Sequence, residues 1–414
     1  MRVIIMAGGR GTRISSIAND IPKPMIPICG KPILEHQIEC LKRNGLTDIT
    51  LIVGHLGDCI KKHFGDGSSF GCKISYFTET EPLGTAGALF KLQGIDDNFI
   101  LLHGDIIFDI DFKRMINFHN KREAWATIAV HPNNHPYDSS IIQCNDKHQV
   151  TAWINKEDER TWNKNLVNAG IHILSNKILS NCTPKNDAVD LDRDILKPSI
   201  NSGLLFGYQT PEYIKDMGTP ERYNEVSIAI EKGIVRNKNL FFKQKCVFLD
   251  RDGTINESKG FISKPEDFIL IDGAAKAIKR INDNGYLAIV ITNQPVIARG
   301  ELDFQMLDLI HMKMETDLGK QGAFIDDLFY CPHHPDKGFP GERPEYKIDC
   351  DCRKPKPGMI FKAAEKYNID LTQSYMIGDH TRDVEAGLAA GCVSKLLTEN
   401  YSLADCINEI IYTT

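Results

Sequence analysis

The chain has 414 residues, room for two or three domains and far too many for one small module. With 42% hydrophobic, 25% charged and 8% aromatic residues it is not a disordered, collagenous or disulfide-scaffold chain, and cores of normal size are expected. A formal net charge of -6 argues against nucleic-acid or anionic-membrane partners, and no apolar run is long enough to span a membrane.

The run Met1–Met6 meets glycines before a signal-peptide core could form, so a cytoplasmic protein is expected. Most of the 12 cysteines should then be free. In chain order, strands are expected at Val3–Met6, Ile49–Val53, Ile74–Phe77 and Phe99–His103, with helices at Ile33–Asn44, Gly84–Leu92 and Pro220–Lys232. A polar, basic stretch, Gly233–Asn239, then reads as a linker. A second series follows: strands at Cys246–Leu249, Leu287–Ile291, Asp327–Tyr330 and Tyr375–Ile377, and helices at Ala274–Asn284, Phe304–Leu318 and Gly358–Lys366. Such alternation predicts parallel sheets with helices on both faces. The fold class is α/β: two doubly wound domains, residues 1–235 and 245–414, joined by a linker at 236–244.

Directly after the first strand comes Gly8-Gly9-Arg10-Gly11-Thr12-Arg13. Glycines there let backbone N–H groups approach a phosphate, although a glycine turn alone also serves with no ligand. It lacks the third glycine of a Rossmann fingerprint and the Gly-Lys-Ser/Thr of a P-loop. Its company sharpens it: Pro22-Lys23-Pro24, Glu81-Pro82-Leu83-Gly84-Thr85-Ala86-Gly87, Leu102-His103-Gly104-Asp105, Asn168-Ala169-Gly170 and Asp216-Met217-Gly218-Thr219-Pro220.

This ordered set resembles the sugar-1-phosphate nucleotidyltransferases across residues 1–232, the heptose- and mannose-1-phosphate guanylyltransferases most of all. The resemblance implies a Rossmann-like domain in which Gly8, Gly9 and Gly11 cradle the nucleotide and Arg13 holds the leaving pyrophosphate. Lys23 would neutralise the α-phosphate, and Asp105 and Asp216 would hold Mg2+. Gly84 and Thr85 fall in its base-recognition loop, Asn168 and Gly170 at its sugar contacts. The family's Glu-Lys at the 1-phosphate is replaced by Asn155-Lys156-Glu157, which keeps Lys156 for the phosphate and leaves the sugar contact unassigned.

In the second series, Asp250-Arg251-Asp252-Gly253-Thr254 sets two carboxylates two residues apart at a strand end, where i and i+2 point the same way. That suits a nucleophile beside an acid/base or metal ligand. Thr292-Asn293-Gln294, Arg353-Lys354-Pro355 and Gly378-Asp379 follow, with Asp383 four residues on. The order resembles the haloacid-dehalogenase-type (HAD-like) phosphatases. It implies Asp250 as nucleophile, Asp252 as acid/base, Thr292, Asn293, Arg353 and Lys354 around the phosphate, and Mg2+ at Asp250, Asp252 and Asp379. Between these motifs, Cys331-Pro332-His333 and Cys350-Asp351-Cys352 offer three thiolates and an imidazole, the donor set of a closed structural Zn2+ clip.

With that clip the domain resembles the D-glycero-D-manno-heptose-1,7-bisphosphate 7-phosphatases, from Cys246 to about Leu397; histidinol-phosphate phosphatases share its core. Pro295-Val296 replaces the family's Ser-Gly, and His380 its usual Lys. Together the halves imply an enzyme that dephosphorylates heptose 1,7-bisphosphate and couples heptose 1-phosphate to an NTP, GTP by family inference. Alternatives are a mannose- or other sugar-1-phosphate nucleotidyltransferase fused to a histidinol-phosphate-like phosphatase, or a regulatory binder with one inactive half. A homo-oligomer is compatible with either; a nucleic-acid or membrane partner is not expected.

Overall fold

Strand β1 (Val3–Met6) is apolar throughout, and Val3, Ile4 and Ile5 are fully buried, as a strand covered on both faces requires. The computed structural model describes residues 1–8, 21–95, 97–184, 186–338 and 340–413. Contacts divide the chain into two compact units. The first comprises Met1–His131, Ile142–Ile154 and Asn168–Asn239; the second comprises Pro132–Ile141, Asn155–Val167 and Leu240–Thr414.

In the first unit β2 (Asp48–Val53), β3 (Lys73–Thr78) and β4 (Asn98–His103) join β1 in parallel, in the order β4-β1-β2-β3. Then come β5 (Ile106–Asp109), β6 (Ala126–His131), β7 (Ile141–Cys144), β8 (Val150–Ile154), β9 (Val167–Ser175), β10 (Leu205–Gln209) and β11 (Tyr213–Asp216). Here the sheet departs from the all-parallel expectation: β9 runs antiparallel to β4 and β7, while β5 and β11 form a separate antiparallel pair.

Helix α1 (Ile33–Arg43) buries Ile33, Leu34, Gln37, Ile38, Cys40 and Leu41, an apolar stripe at helical spacing with one amide in it. That amide has a use. Gln37 Nε2 donates to His103 O (2.9 Å) and Ile106 O (2.7 Å), fixing the turn between β4 and β5 that carries Asp105. Helices α2 (Gly57–Phe64) and α3 (Phe112–Lys121) follow, the latter capped by Asp111. Gly84–Leu92 is not the expected helix beyond a short turn at Gly87–Phe90. The chain at Gly84 bridges to Val189 and Ala86 N–H donates to Val189 O (3.0 Å), which holds it extended.

Helix α4 (Pro220–Glu231) starts behind the Thr219 cap, and α5 (Ile234–Asn237) occupies much of the expected linker. Buried Asp109 explains why that stretch is folded. It accepts from Arg43 Nη2 (2.6 Å), Arg236 Nη1 (3.1 Å) and Asn239 Nδ2 (2.6 Å), so partly exposed arginines reach in to neutralise a buried carboxylate.

The second unit carries the doubly wound sheet its sequence predicts. β12 (Cys246–Leu249), β13 (Leu287–Asn293), β14 (Asp327–Cys331), β15 (Tyr375–Gly378) and β16 (Val393–Leu396) are all parallel, in the order β14-β13-β12-β15-β16. Helices α6 (Ala274–Asp283), α7 (Phe304–Gly319), α8 (Gly358–Tyr367), α9 (Thr381–Ala390) and α10 (Leu403–Thr413) cover it.

Two short segments that a single cut at 236–244 assigns to the other side also belong here. Asn165 Nδ2 donates to Asn133 O (2.7 Å), and Arg160 donates to Pro136 O (3.0 Å) and Ser139 O (2.7 Å). On α7, Thr316 Oγ1 accepts from Asn163 N–H (2.9 Å) and the buried Glu315 Oε2 from Asn165 N–H (2.6 Å).

Candidate active sites

In the first unit the charged centre lies where strands end. Asp105 sits between β4 and β5, and Lys23 Nζ reaches its Oδ2 at 2.5 Å. Burial works against the Asp105 charge, but the Lys23 ammonium outweighs it and holds the carboxyl below its ordinary value. Asp216 ends β11 opposite Ile106, and Met217 N–H donates to Asp105 O (3.0 Å), so the two acids stand on neighbouring strands. Arg222 Nη1 contacts both Asp216 oxygens, at 2.8 and 2.7 Å. Each acid is thus held by a cationic side chain, and two neighbouring carboxylates of this kind fit a hard divalent ion.

Of the glycine loop, Gly8 is described; Gly9, Gly11 and Arg13 lie outside the described residues. A Cβ at Gly8 would come within 2.7 Å of Glu79 Oε2. Glu79 Oε1 is buried without a hydrogen-bond partner among the described residues, and burial raises its carboxyl. Thr85 accepts from Leu191 N–H (2.7 Å), with Gly84 beside it at the Val189 bridge. Asn168 and Gly170 lie together on β9, Gly170 against the His103 ring. Lys156 belongs to the second compact unit, where it is exposed beside Glu157 (3.7 Å).

In the second unit Asp250 directly follows β12, and Lys354 Nζ lies 2.8 Å from its Oδ1 and 2.7 Å from Asp383 Oδ1. Burial pushes Asp250 up, Lys354 opposes this, and Asp383 adds to it. Asp379 is likewise raised, by burial and then by Asp250. Carboxylate oxygens of Asp250, Asp379 and Asp383 lie within 4.8 Å of one another, a set of mutually repelling acids that a Mg2+ ion would relieve. Gly253 makes room for it: its φ is +78°, and a Cβ there would stand 2.0 Å from Asp379 Oδ2.

The Asp252 carboxylate is not part of that set. Arg251 Nη2 (2.9 Å), Asn256 Nδ2 (3.0 Å) and Gln294 Nε2 (2.9 Å) donate to it. Burial would raise it; the Arg251 charge and these hydrogen bonds prevail and hold it below its ordinary value.

Thr292 and Asn293 end β13, and a reciprocal clamp joins the latter to the lysine: Asn293 Nδ2 donates to Lys354 O and Lys354 N–H to Asn293 Oδ1, both at 3.0 Å. One of the two departures from the family pattern has a local explanation. His380 accepts from Arg382 N–H (3.3 Å) while Asp383 accepts from His380 N–H (3.1 Å), a capping box for α9. Beside Pro295, Gln294 meets both Asp252 Oδ2 (2.9 Å) and Thr292 Oγ1 (3.0 Å).

Cys331, His333, Cys350 and Cys352 converge. Their sulfur–sulfur distances are 3.5, 3.2 and 3.3 Å, and His333 Nδ1 lies 3.7 Å from Cys331 Sγ and 3.5 Å from Cys352 Sγ. A tetrahedral zinc with sulfur at about 2.3 Å needs edges of about 3.7 Å, so the cluster could bind it with little adjustment. Arg353 Nη1 donates to His333 O (3.0 Å), tying the cluster to the phosphate-side residues.

A nucleotide-type centre on a mixed sheet and an aspartate–lysine centre on a parallel one define a two-unit α/β phosphotransfer enzyme. The nucleotidyl transferase family pattern matches residues 2–233, and a HAD-hydrolase-like pattern matches residues 351–409. The chain is 43% identical over 155 residues to the D-glycero-beta-D-manno-heptose-1,7-bisphosphate 7-phosphatase of Haemophilus ducreyi, covering 37% of this chain and 82% of the relative. With the D-glycero-alpha-D-manno-heptose-1,7-bisphosphate 7-phosphatase of Photorhabdus laumondii it shares 44% identity over 149 residues, 36% of this chain and 79% of the relative. A Bacillus anthracis crystal structure described as a glucose-1-phosphate thymidylyltransferase with sucrose covers 55% of this chain and 95% of its own, with TM-score 0.50 and 22% identity, a likeness of fold. The chain belongs to the nucleotidyl transferase family and, through its C-terminal part, to the heptose-bisphosphate 7-phosphatase family.

Sequence reasoning passed over Glu79, Asp192, His103 and Arg251, and gave Asp383 no role. His103 and Arg251 lie inside motifs the sequence singles out, and Asp383 follows one. The signal that could have given Arg251 and Asp383 a role is a charged residue within or just after a strand-end motif.

Proposed function

We propose that the protein is a bifunctional enzyme of nucleotide-activated heptose synthesis. It removes the 7-phosphate of D-glycero-D-manno-heptose 1,7-bisphosphate, then transfers GMP from GTP to heptose 1-phosphate with release of pyrophosphate. One observation carries this reading: a nucleotidyl transferase family member and a stretch 43% identical to a heptose-bisphosphate 7-phosphatase share one chain. The product of the hydrolysis is the acceptor the transfer needs. A histidinol phosphatase would supply its neighbour with nothing.

In the phosphatase unit an Asp250 oxygen attacks phosphorus and the ester bond to O7 breaks, giving an aspartyl-phosphate. Asp252 gives the proton to the leaving alkoxide and later takes one from the attacking water. The incoming phosphate dianion raises its carboxyl toward the protonated form this requires. Lys354, Thr292, Asn293 and Arg353 hold the phosphoryl oxygens, and Mg2+ at Asp250, Asp379 and the Asp252 carbonyl would neutralise phosphate charge. Cys331, His333, Cys350 and Cys352 would hold a structural Zn2+, which would order their loop and, through His333 O, the position of Arg353.

In the transferase unit Lys23 sits against the α-phosphate, with Arg13 on the pyrophosphate and Gly8, Gly9 and Gly11 along the chain of phosphates. Asp105 and Asp216 would hold Mg2+ there. Gly84 and Thr85 border the base, and Asn168 and Gly170 serve the sugar phosphate. Guanine is favoured by Glu79: its unpartnered oxygen calls for donors, and guanine presents adjacent N1–H and N2–H2 groups to one carboxylate. Because the reaction consumes GTP, we place the protein in the cytoplasm.

The test is incubation with heptose 1,7-bisphosphate and each NTP in turn, with products identified by mass spectrometry. The expected result is inorganic phosphate in every tube and an NDP-heptose with GTP above all others. Absence of phosphate release, or of any NDP-heptose, overturns the reading.

A further inference from the structure

Asn168 on β9 has an amide oriented by its neighbours. Its Oδ1 accepts from Gly170 N–H (3.1 Å) and stands 3.2 Å from His172 Nε2. His172 is fully buried, and burial pushes its imidazole down to about 3, so the ring is neutral and Nε2 carries the hydrogen facing this acceptor. With both donors on Oδ1, Nδ2 points the other way, to Asp192 Oδ1 (3.3 Å) and Oδ2 (3.4 Å).

Those contacts are long for a carboxylate, whose charge-assisted hydrogen bonds run about 2.7–2.9 Å. A carboxylate has roughly four acceptor positions, and a single distant amide leaves it under-supplied. Consistent with this, burial pushes the Asp192 carboxyl up to about 6; His103 opposes the shift and Asp190 adds to it. His103 is close enough to act on the Asp192 charge, and its Nε2 is buried and has no hydrogen-bond partner among the described residues. Its ring packs 5.8 Å from that of His172 and against Gly170, where a Cβ would come within 3.0 Å of Nδ1.

The group is rigid and well placed. Asp192 rides on the helical turn Leu191–Leu196, capped by Asp190 on Arg193 N–H (2.8 Å) and tied to the Thr85 loop through Leu191 N–H. His103 ends β4 two residues before Asp105, so the cluster adjoins the charged centre. An under-donated carboxylate, with an imidazole nitrogen close by that has no partner among the described residues, suits a ligand bearing several hydroxyls: one donates to Asp192 and a neighbour bonds His103 Nε2.

We propose that Asp192 reads hydroxyls of the transferase acceptor and sets which sugar 1-phosphate is used. This rests on the transferase reading above. The full-length protein and its Asp192→Ala and Asp192→Asn variants are assayed at saturating GTP with heptose 1-phosphate, mannose 1-phosphate and its epimer glucose 1-phosphate. Asp192→Ala should raise the heptose 1-phosphate KM roughly ten- to a hundredfold, the range for hydrogen bonds to a charged group, and erode the preference between the epimers. The KM for GTP and phosphate release from heptose 1,7-bisphosphate should stay within about twofold, which also reports intact folding, and the isosteric Asp192→Asn should show a smaller rise in the same direction. Unchanged acceptor KM and epimer ratio in both variants, or an equal rise in the KM for GTP, overturns the assignment to Asp192 while leaving the transferase reading in place. A wild-type protein that transfers to no sugar 1-phosphate overturns both.

Discussion

The two reaction centres each pair a lysine with an aspartate, but in different surroundings. In the phosphatase unit the side chains of Lys354, Asp250 and Asp383 are 1%, 5% and 0% exposed, whereas Lys23 and Asp105 keep 11% and 37%. A buried triad has no water to replace a missing member; a half-open pair does. On the proposed reading the phosphatase lysine would carry structural as well as chemical weight, while the transferase lysine would exchange its carboxylate for an incoming phosphate at little cost.

The largest effect expected is the separation of activities. Asp250→Asn should abolish phosphate release and leave nucleotidyl transfer to supplied heptose 1-phosphate, and Lys23→Ala should do the reverse. If either change silenced both reactions in a folded protein, two independent centres could not be the explanation.

Next in size is the stability contrast. Lys354→Ala leaves two buried carboxylates without their cation and should cost about 3–5 kcal/mol in denaturant unfolding. Lys23→Ala, in the half-open pair, should cost about 1 kcal/mol or less. Similar losses for the two would erase the distinction.

A third expectation comes from Glu315, which accepts from the Asn165 N–H and whose carboxyl is pushed up to about 7 by burial, with Lys164 opposing and Asp327 and Asp308 adding. Its folded value lies above the ordinary 4.5. The unfolded chain thus releases the proton first, and stability present at low pH is lost as pH rises from about 4.5 to 7. The loss should approach roughly 3 kcal/mol, and Glu315→Gln should flatten it. A stability profile identical in the two proteins would show that Glu315 is charged in the fold.

The smallest expected effect is on metal content. Purified protein should hold about one zinc per chain, and Cys350→Ser should lower that figure and loosen the phosphatase unit. Zinc-free protein of full phosphatase activity would remove the metal from the account.

Much of this was legible in the sequence. Strand-end motifs announce themselves because an apolar run stops at a charged residue, and so Asp105, Asp250 and Asp379 fall where expected. Cys331, His333, Cys350 and Cys352 were legible from spacing alone. The mixed sheet was not, since a strand's residues do not state its direction. The hydroxyl-reading group was also hidden: Asn168 and Asp192 are 24 residues apart, and only folding makes them neighbours. The same holds for Asn165 and Glu315, 150 residues apart, whose contact assigns a segment of the expected first domain to the second unit.

The central claim is that hydrolysis supplies the acceptor for transfer. The transferase sequence shows no second basic cluster to pair a 7-phosphate, and burying that dianion unpaired would cost several kcal/mol. The direct measurement gives the Asp250→Asn protein heptose 1,7-bisphosphate and GTP with Mg2+ and follows nucleotide-sugar by mass spectrometry. The account predicts almost none, with formation restored on adding heptose 1-phosphate. Efficient formation of a GDP-heptose 7-phosphate by this variant would contradict it.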